Sequence, residues 1–272
     1  MNYRMLIILL CPVILLLSSC TGSKATTTGG ETIKTEPTPP PQPEQKKKRV
    51  TFKDVESNDV AYLISQAKEF QAMDQLKEAV SHLRKAKQLK PDSLEIRETL
   101  LELYSTMELP DYEITELKEL IQKKPDNALR VRCASLLRQQ KAFDEAINII
   151  EDIRAVDPED IAALLELGRI YSDRKMYTEA IEAFREITYI DAKNAIAKYH
   201  QAEVYLAQNK PLWADKYYRD ALKLEPTLGL AVYGLAKIAK MRNSQEEFQK
   251  HLARAYELNP DAPEIKKAYT EQ

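Results

Sequence analysis

The sequence predicts an all-α fold, an α-solenoid of about six helix hairpins. Prolines recur at a fixed step, because Pro91, Pro125, Pro158, Pro226 and Pro260 are separated by 34, 33, 68 and 34 residues, and 68 is twice 34. Apolar residues between them recur at the three- and four-residue spacing of one helix face. Small and large apolar residues alternate on that face, which suits close packing. A period of this length indicates repeats that stack on one another.

Residues 1–19 have the features of a signal peptide. Met5 to Leu17 is an almost unbroken apolar run of 13 residues preceded by one basic residue, Arg4. A membrane-spanning helix needs ~20 apolar residues, so this run reads as a signal-peptide core.

Leu17-Ser18-Ser19-Cys20 follows the apolar run and resembles a bacterial lipobox. The resemblance implies that Cys20 becomes the first residue of the mature protein and that its sulfur carries a diacylglyceryl anchor. An ordinary secretory signal with an incidental cysteine is the alternative. In enteric bacteria an aspartate after this cysteine resembles an inner-membrane retention signal, and this chain has Thr21 there. We therefore expect the protein to be anchored at the periplasmic face of the outer membrane. In an organism with a single membrane, we expect it at the outer face of the cytoplasmic membrane.

Residues 20–57 are predicted to be the lipidated cysteine and a disordered tether. The stretch is rich in threonine, proline and lysine and has few large apolar side chains, so it has little with which to form a core.

Residues 58–262 are predicted to hold the six repeats. In the fourth, Leu167, Gly168 and Tyr171 share one helix face, and after a polar break Ala180 and Phe184 begin a second face. The other repeats vary this pattern. Aligned on the proline, units one to six span 60–93, 94–126, 127–160, 161–194, 195–228 and 229–262.

Punctuation residues mark the helix ends. Each recurring proline lacks an N–H group, so the second helix of its unit is expected to stop before it. Pro110 and Pro211 are placed to begin the second helices of units two and five, where proline is tolerated. Polar residues suited to N-caps follow the recurring positions, namely Ser93, Asn127, Asp160 and Asn194.

The spacing of Leu167, Gly168, Tyr171, Ala180 and Phe184 before the proline position resembles the tetratricopeptide repeat. The resemblance covers about three quarters of the chain and implies a right-handed superhelix whose concave groove is lined by the first helix of each pair. Positions two, five, nine and twelve of each unit would then face inward. The residues expected to bind a partner there are Leu165, Arg169, Ile196, Tyr199, Glu203, Leu230, Tyr233, Lys237 and Lys240.

An apolar strip flanked by cations suits a peptide or helix that has apolar anchors and acidic neighbours. Tyr199 and Tyr233 are expected to contribute most, since aromatic side chains contribute strongly at interfaces. The alternative is that these side chains only pack against adjacent hairpins.

Residues 263–272 are predicted to be a short capping segment, in which Ile265, Ala268 and Tyr269 shield the exposed end of unit six.

The composition favours binding over catalysis. The formal net charge is −2 with both signs interspersed, which does not suggest a nucleic-acid binder. Cys133 is expected to be a core residue. The three histidines lie in units one, five and six, and His82 and His251 cannot meet in a stacked array. No phosphate-binding or nucleophile motif is present. We therefore expect no enzyme activity, metal, cofactor or small-molecule substrate.

These features predict a lipid-anchored scaffold of the bacterial envelope that binds a protein or peptide and localises or assembles a complex. In layout the chain is similar to pilotin-type lipoproteins, which bring the secretin of type IV pili to the outer membrane. The alternative is an adaptor that recruits or regulates cell-wall hydrolases or synthases. The partner's identity and the oligomeric state stay open.

Overall fold

A computed structural model describes residues 50–271, and this part of the chain contains thirteen α-helices and no strand. The predicted signal peptide, Cys20 and most of the tether lie outside the described residues. The helices are α1 Val60–Ala72, α2 Leu76–Leu89, α3 Leu94–Thr106, α4 Pro110–Lys123, α5 Asn127–Gln139, α6 Phe143–Arg154, α7 Ile161–Asp173, α8 Tyr177–Ile190, α9 Ala195–Ala207, α10 Pro211–Leu224, α11 Gly229–Met241, α12 Gln245–Leu258 and α13 Pro263–Thr270.

Every helix packs against the next one in the chain, so α1 to α12 form six antiparallel pairs stacked in order. The predicted all-α solenoid is confirmed. First helices also contact each other across units, since α5 packs on α7, α7 on α9 and α9 on α11. Within residues 50–271, every helix falls short of the length or apolar character that crossing a bilayer requires.

The helix ends follow the predicted punctuation with one exception. Pro110 and Pro211 occupy the first turns of α4 and α10. Ser93, Asp160 and Asn194 cap α3, α7 and α9 through their side chains.

The N-cap predicted at Asn127 was wrong by one residue. Asp126 caps α5 by accepting a hydrogen bond from the Leu129 N–H at 3.1 Å. Asn127 is instead the first helical residue, and its amide donates to Asp160 Oδ2 at 3.0 Å, which links α5 to the cap of the next unit.

The turn inside each hairpin contains one residue in the left-handed backbone region, with φ between 53° and 62°. Asparagine and aspartate tolerate this conformation, whereas glutamate and lysine occupy it here at three of the six turns. The residues are Asp74, Glu108, Lys141, Lys175, Asn209 and Asn243.

Small residues in the first helices admit large ones from the second. A Cβ atom added at Gly168 would lie 2.5 Å from Phe184 Cε1, so only glycine fits beside this buried ring. Cys133 is fully buried in the core shared by units two to four, as predicted. Burial raises the pKa of its thiol to about 11, which keeps the sulfur protonated and unreactive at neutral pH.

Residues 50–55 belong to the folded array and not to the tether, which was predicted to extend to residue 57. Phe52 packs edge-on to Tyr112 with ring centroids 5.4 Å apart, and the guanidinium of Arg84 lies 4.9 Å from the Phe52 ring. The Tyr112 hydroxyl donates to the Val50 carbonyl at 3.0 Å. These contacts attach the segment to α2 and α4, because side chains of both helices form a surface against which the Phe52 ring packs.

The C-terminal segment forms a helix, α13, that packs on α12. Ile265 is fully buried, and Tyr269 stacks on Tyr256 with centroids 4.3 Å apart and planes 2° apart. Together they cover the apolar end of unit six, as expected for the last element of a stacked array.

Candidate functional site

The candidate site is the face formed by positions two, five, nine and twelve of α5, α7, α9 and α11, which we call the first-helix face. These helices lie side by side, so residues as distant in the chain as Ala128 and Lys240 are brought onto one surface. Three of its predicted apolar contact residues are partly buried and pack at the margins of three different core clusters. They are Leu165, Ile196 and Leu230.

Tyr199 and Tyr233 are partly buried at the C-terminal end of this face. The Tyr199 ring lies 4.9 Å from the His200 ring and 6.1 Å from the Tyr218 ring, between centroids. Burial raises the pKa of both tyrosines, and the negative charges of Glu203 and Glu264 raise it further. Both hydroxyls therefore stay neutral and able to donate a hydrogen bond.

Glu203 holds the centre of the face together. Its carboxylate accepts from Lys237 Nζ at 2.8 and 2.9 Å and from the hydroxyl of the fully buried Tyr218. A Cβ atom at Gly234 would overlap the Tyr218 ring, so this glycine lets the ring approach α11 and reach Glu203. Sequence reasoning missed Tyr218 and Gly234 as parts of the site, although a glycine inside a helix, two residues before the expected small residue Ala236, was a usable signal.

The cations of the face are partly neutralised inside the protein. Arg138 bonds the buried carboxylate of Glu166 and also Asp173, each at 2.6 Å, and Arg169 lies 3.6 Å from Glu166. Lys240 is exposed, with its Nζ 5.6 Å from the Phe248 ring centroid. Lys240 is thus more available to an acidic partner than Arg138 and Lys237, which are paired with carboxylates of the protein itself.

His200 lies next to the face and is partly buried against unit four. Its ring stacks on Phe184 with centroids 5.2 Å and planes 15° apart. Burial lowers the pKa of His200 to about 3, and the positive charges of Arg169 and Arg138 act in the same direction. The ring is therefore neutral and serves packing.

The face presents apolar rings, hydroxyl donors and one exposed ammonium group. Within residues 50–271, no three histidine, cysteine, aspartate or glutamate side chains come together as a metal site would require. This arrangement can hold another polypeptide through apolar anchors and hydrogen bonds.

A family model described as tetratricopeptide repeat matches residues 137–204, which run from the end of α5 into α9. The described residues fold as a tetratricopeptide-repeat solenoid. A comparison with curated protein sequences gave no match.

Three solved structures illustrate the similarity in fold. PilW, described as a widely conserved type IV pilus biogenesis factor, is 15% identical with a TM-score of 0.55, over 77% of this chain and 98% of that one. PilF of Pseudomonas aeruginosa is 16% identical with a TM-score of 0.50, over 78% and 97%. A tetratricopeptide repeat protein of Parabacteroides merdae is 16% identical with a TM-score of 0.61, over 76% and 82%. At these identities the likeness concerns the tetratricopeptide-repeat fold.

Proposed function

We propose that this protein is a lipid-anchored scaffold of the bacterial envelope that binds a polypeptide partner along the first-helix face and localises or assembles it. The pairing of Tyr233 with Lys237 and Lys240 carries the proposal. Tyr233 is only partly buried, Lys237 Nζ lies 5.6 Å from its ring centroid, and Lys240 is exposed one turn further along α11. An aromatic anchor beside an exposed ammonium suits an apolar residue with an acidic neighbour in the partner.

A pilus- or secretion-type complex is the partner assembly that we favour. Two observations support it. The chain combines a lipobox-like Cys20 with six repeats, and the fold resembles that of PilW, whose description names type IV pilus biogenesis.

The partner site is tested by affinity capture from host membranes. We expect Tyr233→Ala to lower recovery of the bound partner about tenfold or more, since a buried aromatic at an interface is worth about 2 kcal/mol. Lys240→Glu, a change at an exposed position, is expected to act in the same direction without disturbing the fold. Tyr189→Ala is the matched control, because Tyr189 is an exposed tyrosine on α8, outside the first-helix face.

Equal recovery of the same proteins by wild type, Tyr233→Ala and Lys240→Glu would remove the first-helix face from the proposal. Mass spectrometry of the captured proteins decides the assembly. Secretin or pilin components support the pilus-type role, whereas cell-wall hydrolases or synthases would replace it with the adaptor role.

The anchor is tested separately by the intact mass of the protein recovered from membranes. We expect wild type to begin at Cys20 and to carry the mass of its acyl chains, and Cys20→Ser to carry none. Cys133→Ser is the matched control. The Cys133 side chain is buried in the core, so this substitution should leave acylation unchanged. A wild-type chain that keeps Met1 and has no added mass would rule the anchor out.

A further inference from the structure

The first turn of α10 differs from the first turn of every other second helix. α2, α4, α6, α8 and α12 each carry acidic residues in that turn, where negative charge is favourable next to the helix N-terminus. α10 carries none and begins Pro-Leu-Trp. An apolar pair therefore replaces the acidic residues at this one place in the array.

These apolar side chains point away from the core. Leu212 is 76% exposed and Trp213 is 51% exposed, so together they leave a contiguous apolar surface in water. The Trp213 ring stacks on Tyr205 at 5.9 Å, and Tyr205 stacks on Tyr217 at 5.1 Å, between centroids. We call Leu212, Trp213, Tyr205 and Tyr217 the Trp213 patch.

Lysines surround the patch. Lys216 Nζ lies 5.6 Å from the Trp213 centroid, and Lys198 Nζ lies 5.6 Å from the Tyr217 centroid. Lys210 and Lys175 line a shallow depression beside it, together with Glu179. The other nearby acidic residues are matched by bases, since Asp215 bonds Arg219 at 2.8 Å and Glu182 pairs with Arg185. The local charge is positive.

The patch lies at the edge of the array that contains the turns inside the hairpins. The turns inside the hairpins of units three to six, 140–142, 174–176, 208–210 and 242–244, contain five basic residues and no acidic one. The connectors that follow units three to six, 157–160, 191–194, 225–228 and 259–262, lie at the opposite edge and contain six acidic residues and one lysine. The first turns of α6, α8 and α12 add five acidic residues at the edge of the turns, and of these Asp144 is paired with Arg174 and Glu145 with Lys118. Asp215, in the second turn of α10, is paired with Arg219.

We propose that the Trp213 patch and its lysines contact an anionic lipid surface. Tryptophan and leucine enter the interfacial region of a bilayer, and lysine side chains extend their ammonium groups to the headgroups. Each lysine near an anionic surface contributes about 1 kcal/mol. The same surface would repel the acidic connectors, which favours the orientation in which the patch faces the lipid.

The proposed anchor supplies proximity but not the contact itself. Thirty residues, 20–49, separate Cys20 from the start of the described array. Even fully extended at ~3.5 Å per residue, they hold the array within about 100 Å of the attachment point. A weak contact becomes populated at such a high effective concentration.

Trp213 is the only tryptophan in the chain, so its fluorescence reports on this patch alone. The full chain is mixed with phosphatidylglycerol vesicles or with phosphatidylcholine vesicles. We expect phosphatidylglycerol to shift Trp213 emission to the blue and to protect it from an aqueous quencher, and high salt to reverse both effects. Phosphatidylcholine should produce neither effect.

Two variants test the chemistry of the contact. Lys216→Gln should weaken the phosphatidylglycerol response about fivefold, the loss of one lysine's contribution. Leu212→Ser should weaken it by a similar factor through lost apolar burial. Tyr189→Ser is the matched control, because Tyr189 is 77% exposed at the end of α8, on the acidic edge, and should leave the response unchanged.

Sedimentation with vesicles separates this proposal from the anchor. A chain that sediments with either lipid while Trp213 emission stays unshifted is held by its N-terminal segment alone, and the patch proposal is then wrong. Unshifted emission on phosphatidylglycerol combined with a shift on adding a captured acidic protein would also overturn it, in favour of a protein partner. A Trp213 shift retained by Cys20→Ser would support the patch even if the anchor failed.

Discussion

Replacing Arg97 by methionine is expected to lower the free energy of unfolding by about 3 kcal/mol, a large effect for one ion pair. Arg97 and Glu116 are each only 3% exposed, and Arg97 Nη1 lies 2.7 Å from Glu116 Oε1. The same guanidinium also donates to Glu119 and to the Pro91 carbonyl. Without it, the buried Glu116 carboxylate retains only Lys87, at 2.7 Å.

The double variant Arg97→Met/Glu116→Met should recover about 2 kcal/mol of the summed single losses, because it leaves no unmatched buried charge. Urea unfolding followed by circular dichroism measures the cycle, and hydrogen exchange in α3 and α4 locates the loss. Lys118→Met is the control, since its partner Glu145 is exposed and such pairs contribute less than about 1 kcal/mol. Additive losses in the double variant would contradict this account.

The second large effect is acid destabilisation through His200. Its pKa is about 3 in the folded protein, against an ordinary value of 6.5, because burial opposes the charged ring. The folded-state pKa is depressed, so this contribution to stability is complete above pH 6.5 and is lost as the pH falls toward 3. Between these two pH values His200 is protonated in the unfolded chain but stays neutral in the folded protein. The loss is about 2 kcal/mol by pH 5 and about 3.4 kcal/mol by pH 4.

His200→Phe should remove this slope while keeping a ring against Phe184. Unfolding free energies of wild type and variant are compared from pH 7 to 4, so that effects of carboxylate titration common to both cancel. His82→Phe is the matched control, because the His82 ring also packs on a phenylalanine, Phe70, at 5.0 Å. If wild type and His200→Phe lose stability in parallel, the buried histidine is not the cause.

The helix pairs could be predicted because the information for them is local and repeated. A proline at steps of 33 or 34 residues, absent only at Ala192 of unit four, and an apolar face on each side of it predict where each hairpin begins and ends. The cap at unit three differed by one residue because Asp126 and Asn127 are both suitable, and the contact that decides between them, Asn127 with Asp160, crosses to the next unit.

Features that depend on contacts between units could not be predicted from the sequence. Phe52 lies in a stretch without a helical pattern, so its local sequence does not indicate that it packs against both α2 and α4. The pairing of Arg138 with Glu166 and of Lys237 with Glu203 depends on how first helices are aligned side by side, which the repeat period alone does not determine. Position by position, the expected groove residues therefore included cations that the array itself neutralises.

The packing of Phe52 on α2 and α4 has a mechanical consequence. Tension applied to the chain ahead of Val50 would be transmitted first to the second helices of units one and two, through the Phe52 ring and the Tyr112–Val50 hydrogen bond. The hairpins that carry Tyr199 and Tyr233 lie farthest along the stack from that point of loading. A force that pulls on the N-terminus would therefore have to unfold unit one before it strained the hairpins of units five and six.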